Sequence, residues 1–381
     1  MGPSNPYHFG SPVDELHFTD RTEQLERLAA VMLNGQNLIL IAPRRYGKTS
    51  LLRRGVDLVE ASGGRTGRVS LIKCSSADDV VQTLMHGVVS GPLGWVRGRA
   101  TEFSRWLRRI RVAPEIRIDP ASGLVEGVSL GPSLAASDWR AVLPEVVRIL
   151  ADLAAEDPDH PVSLVIDEFQ KAYEIDPLIA DIFKDLVDDL PGVSLVFAGS
   201  KRHIMEAMVS SPEHGALYNV GAKLYLGKIS EADFIPYLTG RAASAGKRLS
   251  ATAASRIYQA AAGIPNDVQL LAFWAFALSE GEITEELVDA AVAYAIDDQR
   301  EEFTLVFDRL SLVQQRLLKL LAQGPVRAVT GRAVQGVVGV SHRGTLDAAL
   351  ALERLQLAER SANTWTIANG LLGEWLRGRY E

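Results

Sequence analysis

Three short stretches of this chain combine residue types that handle phosphate and metal. The first is Gly47-Lys48-Thr49, reached from the aliphatic run Leu38–Ile41 through Ala42, Pro43, Arg44, Arg45 and Tyr46, and followed by Ser50. The second is Asp167-Glu168, which closes the apolar run "VSLVI"; the third is Ser200, after "VSLVFAG". A chain that leaves a buried strand, turns and enters a helix at once aims backbone N–H groups and a positive dipole end at an anion. The first stretch nearly matches the phosphate-binding loop G-x-x-x-x-G-K-[ST], with Ala42 where the first glycine is expected. In such a loop the backbone wraps phosphates, the lysine reaches β/γ oxygens and the hydroxyl binds Mg²⁺. The plainer reading of Gly-Lys-Thr by itself is an ordinary strand-to-helix turn.

The acidic pair adds the second half of a nucleotide site. Asp167, leaving a neighbouring parallel strand, can hold Mg²⁺ or its waters, and Glu168 can orient or deprotonate an attacking water. Two solvated acids at a strand end are the plainer alternative, but both motifs stand in the right order. Open α/β sheets bind ligands at the carboxyl ends of their strands. Ser200 lies at that edge, where it either hydrogen-bonds a γ-phosphate or water while Lys201 or Arg202 reaches a phosphate of this or a neighbouring subunit, or sits with both bases in a polar loop. The expected ligands are therefore ATP and Mg²⁺. Lys48, Asp167, Glu168 and Ser200 are the catalytic candidates, Ala42 to Ser50 the phosphate-binding ones, and Thr49 with Asp167 the metal ligands.

The surrounding elements must place these groups on one edge. "RTEQLERLAAVMLNG" carries Leu25, Leu28 and Met32 at helical spacing with Gly35 as a stop. Strands are expected at Leu38–Ile41, Val69–Lys73, Val162–Ile166 and Val193–Ala198. Helices between them imply a parallel sheet with crossover connections. Residues 112–132 alternate around Asp-Pro-Ala-Ser-Gly and read as a β-hairpin. From about residue 230 to 295 the pattern is helical, interrupted at Gly263-Ile264-Pro265. The last eighty or so residues give three helices and a late hairpin with its turn at Ser361–Asn363, which describes a winged helix. Within them, Leu317, Leu320 and Leu321 are expected on one face, Ser341 as a helix N-cap, and Leu346, Leu350 and Leu355 inward.

Taken together, these motifs resemble the archaeal-type P-loop ATPases of the STAND/AAA+ group. The opening "NPYHFGSPVDELHFTDRTEQLERL" is similar to that family's at Asn5, Pro6, Phe18, Arg21, Glu23 and Leu25; "APRRYGKTSLL" and "LVIDEFQ" are similar to its two nucleotide motifs. The resemblance covers essentially the whole chain. It implies base-contacting roles for Phe18 and Arg21 and a nucleotide contact at Pro265. Two departures are Ala42 and the absence of a basic residue in "NDVQLLAFW" after Pro265, which favours a slow switch over a ring-type hydrolysis cycle.

Composition narrows the partners. The chain has 381 residues, 47% hydrophobic and 23% charged, with a net charge of −7 that argues against whole-surface attraction to nucleic acid. Its single cysteine, Cys74, excludes an internal disulfide. No apolar run approaches the roughly 20 residues that span a bilayer, and "MGPSNPYHFG" lacks the features of a signal peptide, so a cytoplasmic location is expected. A local basic segment, "WVRGRATEFSRWLRRIR" at 95–111, could grip double-stranded DNA, lie on the core with a solvated face, or meet a protein. The winged helix could read DNA through Arg343 and Thr345 or serve as a protein-docking lid; over 301–381 it carries ten basic against eight acidic residues.

The expected architecture is thus an α/β P-loop NTPase with a parallel sheet and helices on both faces (1–228), an α-helical lid (229–300) and a winged-helix domain (301–381). The expected function is an ATP-binding, slowly hydrolysing molecular switch that couples Mg-ATP occupancy to self-assembly or to engagement of a protein effector or DNA. A DNA-loading or transposition-type regulator and a non-hydrolysing scaffold are the alternatives.

Overall fold

The computed structural model describes residues 4–11, 19–92, 138–210 and 215–380, and the backbone of 114–118 and 125–130. The chain divides into two compact units, residues 21–227 and residues 1–20 with 228–381.

The first unit is built on a five-stranded parallel sheet: β1 (Leu38–Ile41), β2 (Arg65–Ser70), β5 (Val162–Asp167), β6 (Val193–Gly199) and β7 (Ala222–Tyr225), in the order β2-β5-β6-β1-β7. β1, β5 and β6 are buried at every position, whereas β2 and β7 are partly exposed. Continuous aliphatic runs are what a strand covered on both faces requires, and mixed runs suit edges. Side chains alternate between faces. Ile39, Leu164, Ile166, Leu195 and Phe197 join one hydrophobic cluster with α3 (Ala77–Ser90), α4 (Trp139–Glu156) and α6 (Pro177–Val187). Leu38, Leu40, Val165 and Val196 are buried on the opposite side, where α1 (Thr22–Leu33) and α2 (Lys48–Ala61) pack together. The sheet thus has helices on both faces.

Two sequence expectations shift. The second strand runs over Arg65–Ser70, and Leu71–Lys73 forms a 3₁₀ turn instead. Its small residues explain this: Thr66 Oγ1 lies 2.9 Å from Ser163 Oγ, and the carbonyl of Gly87 in α3 comes close to Gly67. β6 also separates β5 from β1, so the acidic strand is not the immediate neighbour of the loop strand. The hairpin is present as β3 (Pro114–Ile118) paired with β4 (Val125–Leu130); its turn, Phe18 and the arginine-rich segment 95–111 lie outside the described residues. Helices α5 (Gln170–Ile175) and α7 (Arg202–Ser210) follow β5 and β6.

The second unit has one continuous apolar cluster running from Tyr7 through Phe234, Leu271, Phe303 and Trp365 to Leu376. The lead docks here: Asn5 Nδ2 donates to the Phe273 carbonyl at 2.9 Å, Tyr7 Oη to the Leu238 carbonyl at 2.7 Å, and the Arg241 guanidinium to the Pro6 carbonyl. Helices α8 (Glu231–Ser244), α9 (Ala251–Ala260), α10 (Pro265–Leu278) and α11 (Glu285–Asp298) include a two-residue bridge, β8 (Arg248–Leu249) with β9 (Glu282–Ile283). After α12 (Arg300–Asp308) come α13 (Leu312–Gln323), β10 (Val326–Arg327), α14 (Arg332–Val338), α15 (His342–Arg354), β11 (Ala358–Ser361), β12 (Thr364–Ile367) and α16 (Gly370–Tyr380). The late hairpin is present, and β10 pairs with its second strand to complete a three-stranded sheet. Ser341 caps α15 by accepting from the Gly344 N–H. Leu350 packs partly buried against the cluster, but the fully inward face of α15 is Thr345, Ala348, Ala349 and Leu352, and Leu355 is exposed. Small residues allow this helix to approach its neighbours closely, so the buried stripe follows alanines as well as leucines. Arg256 of α9 ties the bundle to α16, bonding Asp289 at 2.9 Å and Glu374 at 2.8 Å. Among the described residues no helix is long and apolar enough to cross a membrane.

A Cβ at Gly67 would stand 2.5 Å from the Gly87 carbonyl oxygen, a backbone atom that cannot swing aside. Gly67→Ala is expected to destabilise the first unit by about 1–3 kcal/mol, the usual effect of overpacking. A thermal melt followed by circular dichroism checks this; an unchanged melt would mean that α3 is not held this tightly.

Candidate functional site

The loop after β1 owes its shape to a few backbone decisions. Ala42 is fully buried and its N–H donates to the Gly199 carbonyl at 3.1 Å, continuing the strand pairing by one residue. Ala42 is not among the residues with positive φ, and this is why alanine serves where the motif has glycine. The left-handed positions are Arg45 (φ 70°) and Gly47 (φ 85°). A Cβ at Gly47 would meet no atom within 4 Å, so glycine is needed there for its backbone and not for space inside the protein. Tyr46 and Ser50 are buried, Pro43 is half-buried, and Arg44 and Arg45 are exposed. Gly47 is the N-cap of α2 and offers no side chain to its first N–H groups. Those donors have no partners within the helix.

The acidic pair is set by a conflict at the end of β5. Phe169 must re-enter the core, where it packs edge-on against Phe183 and Phe197, and its N–H bonds the Ala198 carbonyl at 2.8 Å. Glu168, one residue earlier, takes up the turn in a left-handed conformation with φ 58°. Its side chain is thereby sent over the sheet edge toward the loop.

There the predicted groups converge. Lys48 Nζ is ion-paired with Asp167 Oδ1 and lies 2.8 Å from Glu168 Oε1. Thr49 Oγ1 is 3.4 Å from the other Asp167 oxygen, and the Glu168 N–H donates to Asp167 Oδ1 at 2.9 Å. Ser200 Oγ donates to Glu168 Oε2 at 2.7 Å, which β6, lying between β1 and β5, makes possible. Lys48, Asp167 and Ser200 are all more than nine-tenths buried. Burial pushes the Lys48 ammonium down, partly offset by Glu168. Burial pushes the Glu168 carboxyl up, but the Lys48 charge and the hydrogen bonds from Lys48, Ser200 and Gln170 outweigh it and hold the group below its ordinary 4.5.

Gln170 is a partner that residue patterns alone did not single out. Its Nε2 donates to Glu168 Oε2 at 2.5 Å from a nearly fully buried position. The signal was the glutamine in "DEFQ", two residues after the glutamate. Lys201 and Arg202 do not turn to the cluster; they pair with Glu174 and Glu206. Arg21, buried just ahead of α1, donates to the Gly227 carbonyl at 2.6 Å. Pro265 opens α10 in the other unit.

Thr49, Asp167 and Glu168 form part of the wall of an open cavity of about 480 Å³. The donors here fit Mg-ATP. A hydroxyl and a carboxylate in contact are hard oxygen ligands, and Mg²⁺ commonly takes one or two protein oxygens and completes its shell with phosphates and water. No group of three or more His, Cys, Asp or Glu side chains arranged for a metal occurs among the described residues.

No protein-family profile matches the chain, and no curated protein matches it. Among solved structures it is similar to a Walker-type ATPase of Pyrococcus abyssi, at 14% identity over 98% of this chain and 99% of that one, with a TM-score of 0.66. It also aligns with the Orc1 protein of Aeropyrum pernix solved with DNA (17% identity, 97% and 94% covered, TM-score 0.47). A third is the RuvB Holliday junction branch migration motor of Thermotoga maritima (14%, 97% and 98% covered, TM-score 0.44). At these identities the likeness is one of fold, and the first of them carries it: an α/β P-loop fold with a helical extension.

A carboxyl depressed by folding stabilises the protein above its unfolded pKa and ceases to do so as pH falls through the folded value. The melting temperature of the wild type is therefore expected to drop as pH is lowered below about 4.5, and to drop less steeply in Glu168→Gln. Parallel pH profiles for the two proteins would remove the Lys48–Glu168 interaction from the account.

Proposed function

We propose that this protein is an ATP-binding, slowly hydrolysing P-loop ATPase of the AAA+ or STAND type that works as a molecular switch. The observation carrying this reading is the buried cluster of Lys48, Asp167 and Glu168 beside Thr49, at a helix N-terminus without a side-chain cap. In this reading the amides from Ala42 to Ser50 surround the phosphates, and Lys48 exchanges its carboxylates for β/γ oxygens. Thr49 and Asp167 would hold Mg²⁺, which when bound would offset the negative charge on the phosphate oxygens. Phe18 and Arg21 contact the base.

Glu168 is the general base. The water oxygen bonds to the γ-phosphorus, the bond from phosphorus to the β–γ bridging oxygen breaks, and the water proton passes to Glu168. That carboxylate now accepts from Lys48, Ser200 and Gln170. Donors to its charged form make it a weaker base, which supports low turnover. Ser200, once released, is free to orient the water or the γ-phosphate. In the second unit, 229–300 serves as the lid and 301–381 as a winged helix, and nucleotide occupancy controls self-assembly or binding of a protein effector in the cytoplasm.

Lys48→Ala is expected to abolish the thermal stabilisation that Mg-ATP gives the wild type; equal stabilisation of both proteins would refute nucleotide binding at this loop. Glu168→Gln is expected to keep that stabilisation while turnover, read as phosphate release, falls by about 10²–10⁴-fold, the usual contribution of a positioned base. Unchanged turnover would take Glu168 out of the role.

The second reading is DNA engagement through the winged helix. It is favoured by His342 and Arg343, exposed in the first turn of α15. Duplex binding followed by fluorescence anisotropy is then expected to weaken steeply with salt and to weaken further in Arg343→Ala. Binding that ignores both would leave the protein-docking role.

A further inference from the structure

The sheet order gives the site a direction. Along the carboxyl edge stand, in turn, β7 leading to Gly227 with Arg21 bonded to it, the loop after β1, Ser200 after β6, the acidic pair after β5, and finally β2. A triphosphate lying on the loop with its base toward Arg21 ends beside the acidic pair. The space beyond that end is the part of the 480 Å³ cavity bounded by Arg44, Arg53, Arg68 and Ser70.

Three elements supply these groups independently. Arg44 comes from the loop, Arg53 stands one turn after Thr49 on α2, and Arg68 and Ser70 are the outward pair of the edge strand β2. All three arginines are exposed, and among the described residues none forms an ion pair. The two nearby carboxylates, Asp167 and Glu168, already face Lys48. Asp57 is the acid felt by Arg68, and it opposes a repulsion from Arg53. Arg44 and Arg68 also depress Lys48. Three guanidinium groups thus line one open space whose two carboxylates are already engaged by Lys48, and an arriving anion relieves their mutual repulsion. Guanidinium groups are suited to a tetrahedral oxyanion because their N–H forks can bond two of its oxygens at once.

We propose that Arg53 and Arg68, with Arg44, form a second anion subsite that holds inorganic phosphate after it is cleaved from the nucleotide. This rests on the nucleotide reading above and deepens it. The subsite keeps the product next to Mg-ADP, so that phosphate departure, and not cleavage alone, times the return of the switch.

The test titrates inorganic phosphate into the Mg-ADP complex at constant ionic strength and follows the melting temperature. Phosphate is expected to stabilise the wild type further. In Arg53→Ala or Arg68→Ala the phosphate concentration needed rises about tenfold, the weakening that follows loss of one charge-assisted hydrogen bond. In the double variant the effect disappears, while stabilisation by Mg-ADP alone is retained. A wild type indifferent to phosphate, or variants that respond as it does, overturns the proposal. If Mg-ADP fails to stabilise even the wild type, the nucleotide reading falls separately. Phosphate titrated alone then decides: stabilisation lost in the double variant upholds an anion subsite, and no stabilisation overturns that too.

Discussion

The first unit turns on a lysine held between two carboxylates with little water around them. Taking Lys48 and Asp167 out of solvent is unfavourable for each separately, and the pair is tolerated because each faces the other. The loop after β1, the end of β5 and the end of β6 are thereby coupled through one set of charges. Neutralising Lys48 leaves both carboxylates without their cation. It is also the arrangement an incoming polyphosphate would replace, since phosphate oxygens offer the ammonium group the same kind of partner.

The sheet around this cluster explains why only some of the neighbouring bases take part. Ser200 reaches Glu168 because β6 intervenes between loop strand and acidic strand. Lys201 and Arg202, one and two residues later, have already entered the helical connection and meet acids of their own. On the far side, β2 is an edge strand whose outward residues have no neighbouring strand, so Arg68 and Ser70 open onto the cavity. Edge and centre positions thus separate bases engaged in ion pairs from bases that line the cavity.

Much of this was legible in the residues. Uninterrupted aliphatic runs marked the central strands because both of their faces are covered, and the polar groups that end them marked the edge where Lys48, Asp167, Glu168 and Ser200 converge. The hairpin at 358–367 and the Ser341 cap were readable because turn and cap chemistry are local. The register of β2 was not: Arg65, Thr66 and Gly67 form a strand only because Ser163 pairs with one and α3 approaches another closely. Nor was the inward face of α15, where alanines are buried and Leu355 is not. Hydrophobic periodicity weights large residues, while close helix packing selects small ones.

By itself the sequence determined the alternation of apolar strands and helices that calls for a parallel sheet, the glycine turn after β1 and the order of the motifs, because each is written in residue types and local spacing. Only the tertiary structure decided that β6 lies between loop and acidic pair, that Gln170 and Ser200 share one oxygen of Glu168, and that Arg53 and Arg68 face a common space. It also decided that the lead from Asn5 to Tyr7 docks on helices more than two hundred residues away. Those outcomes depend on which distant segments are brought together by burying the core, and spacing along the chain carries no record of that.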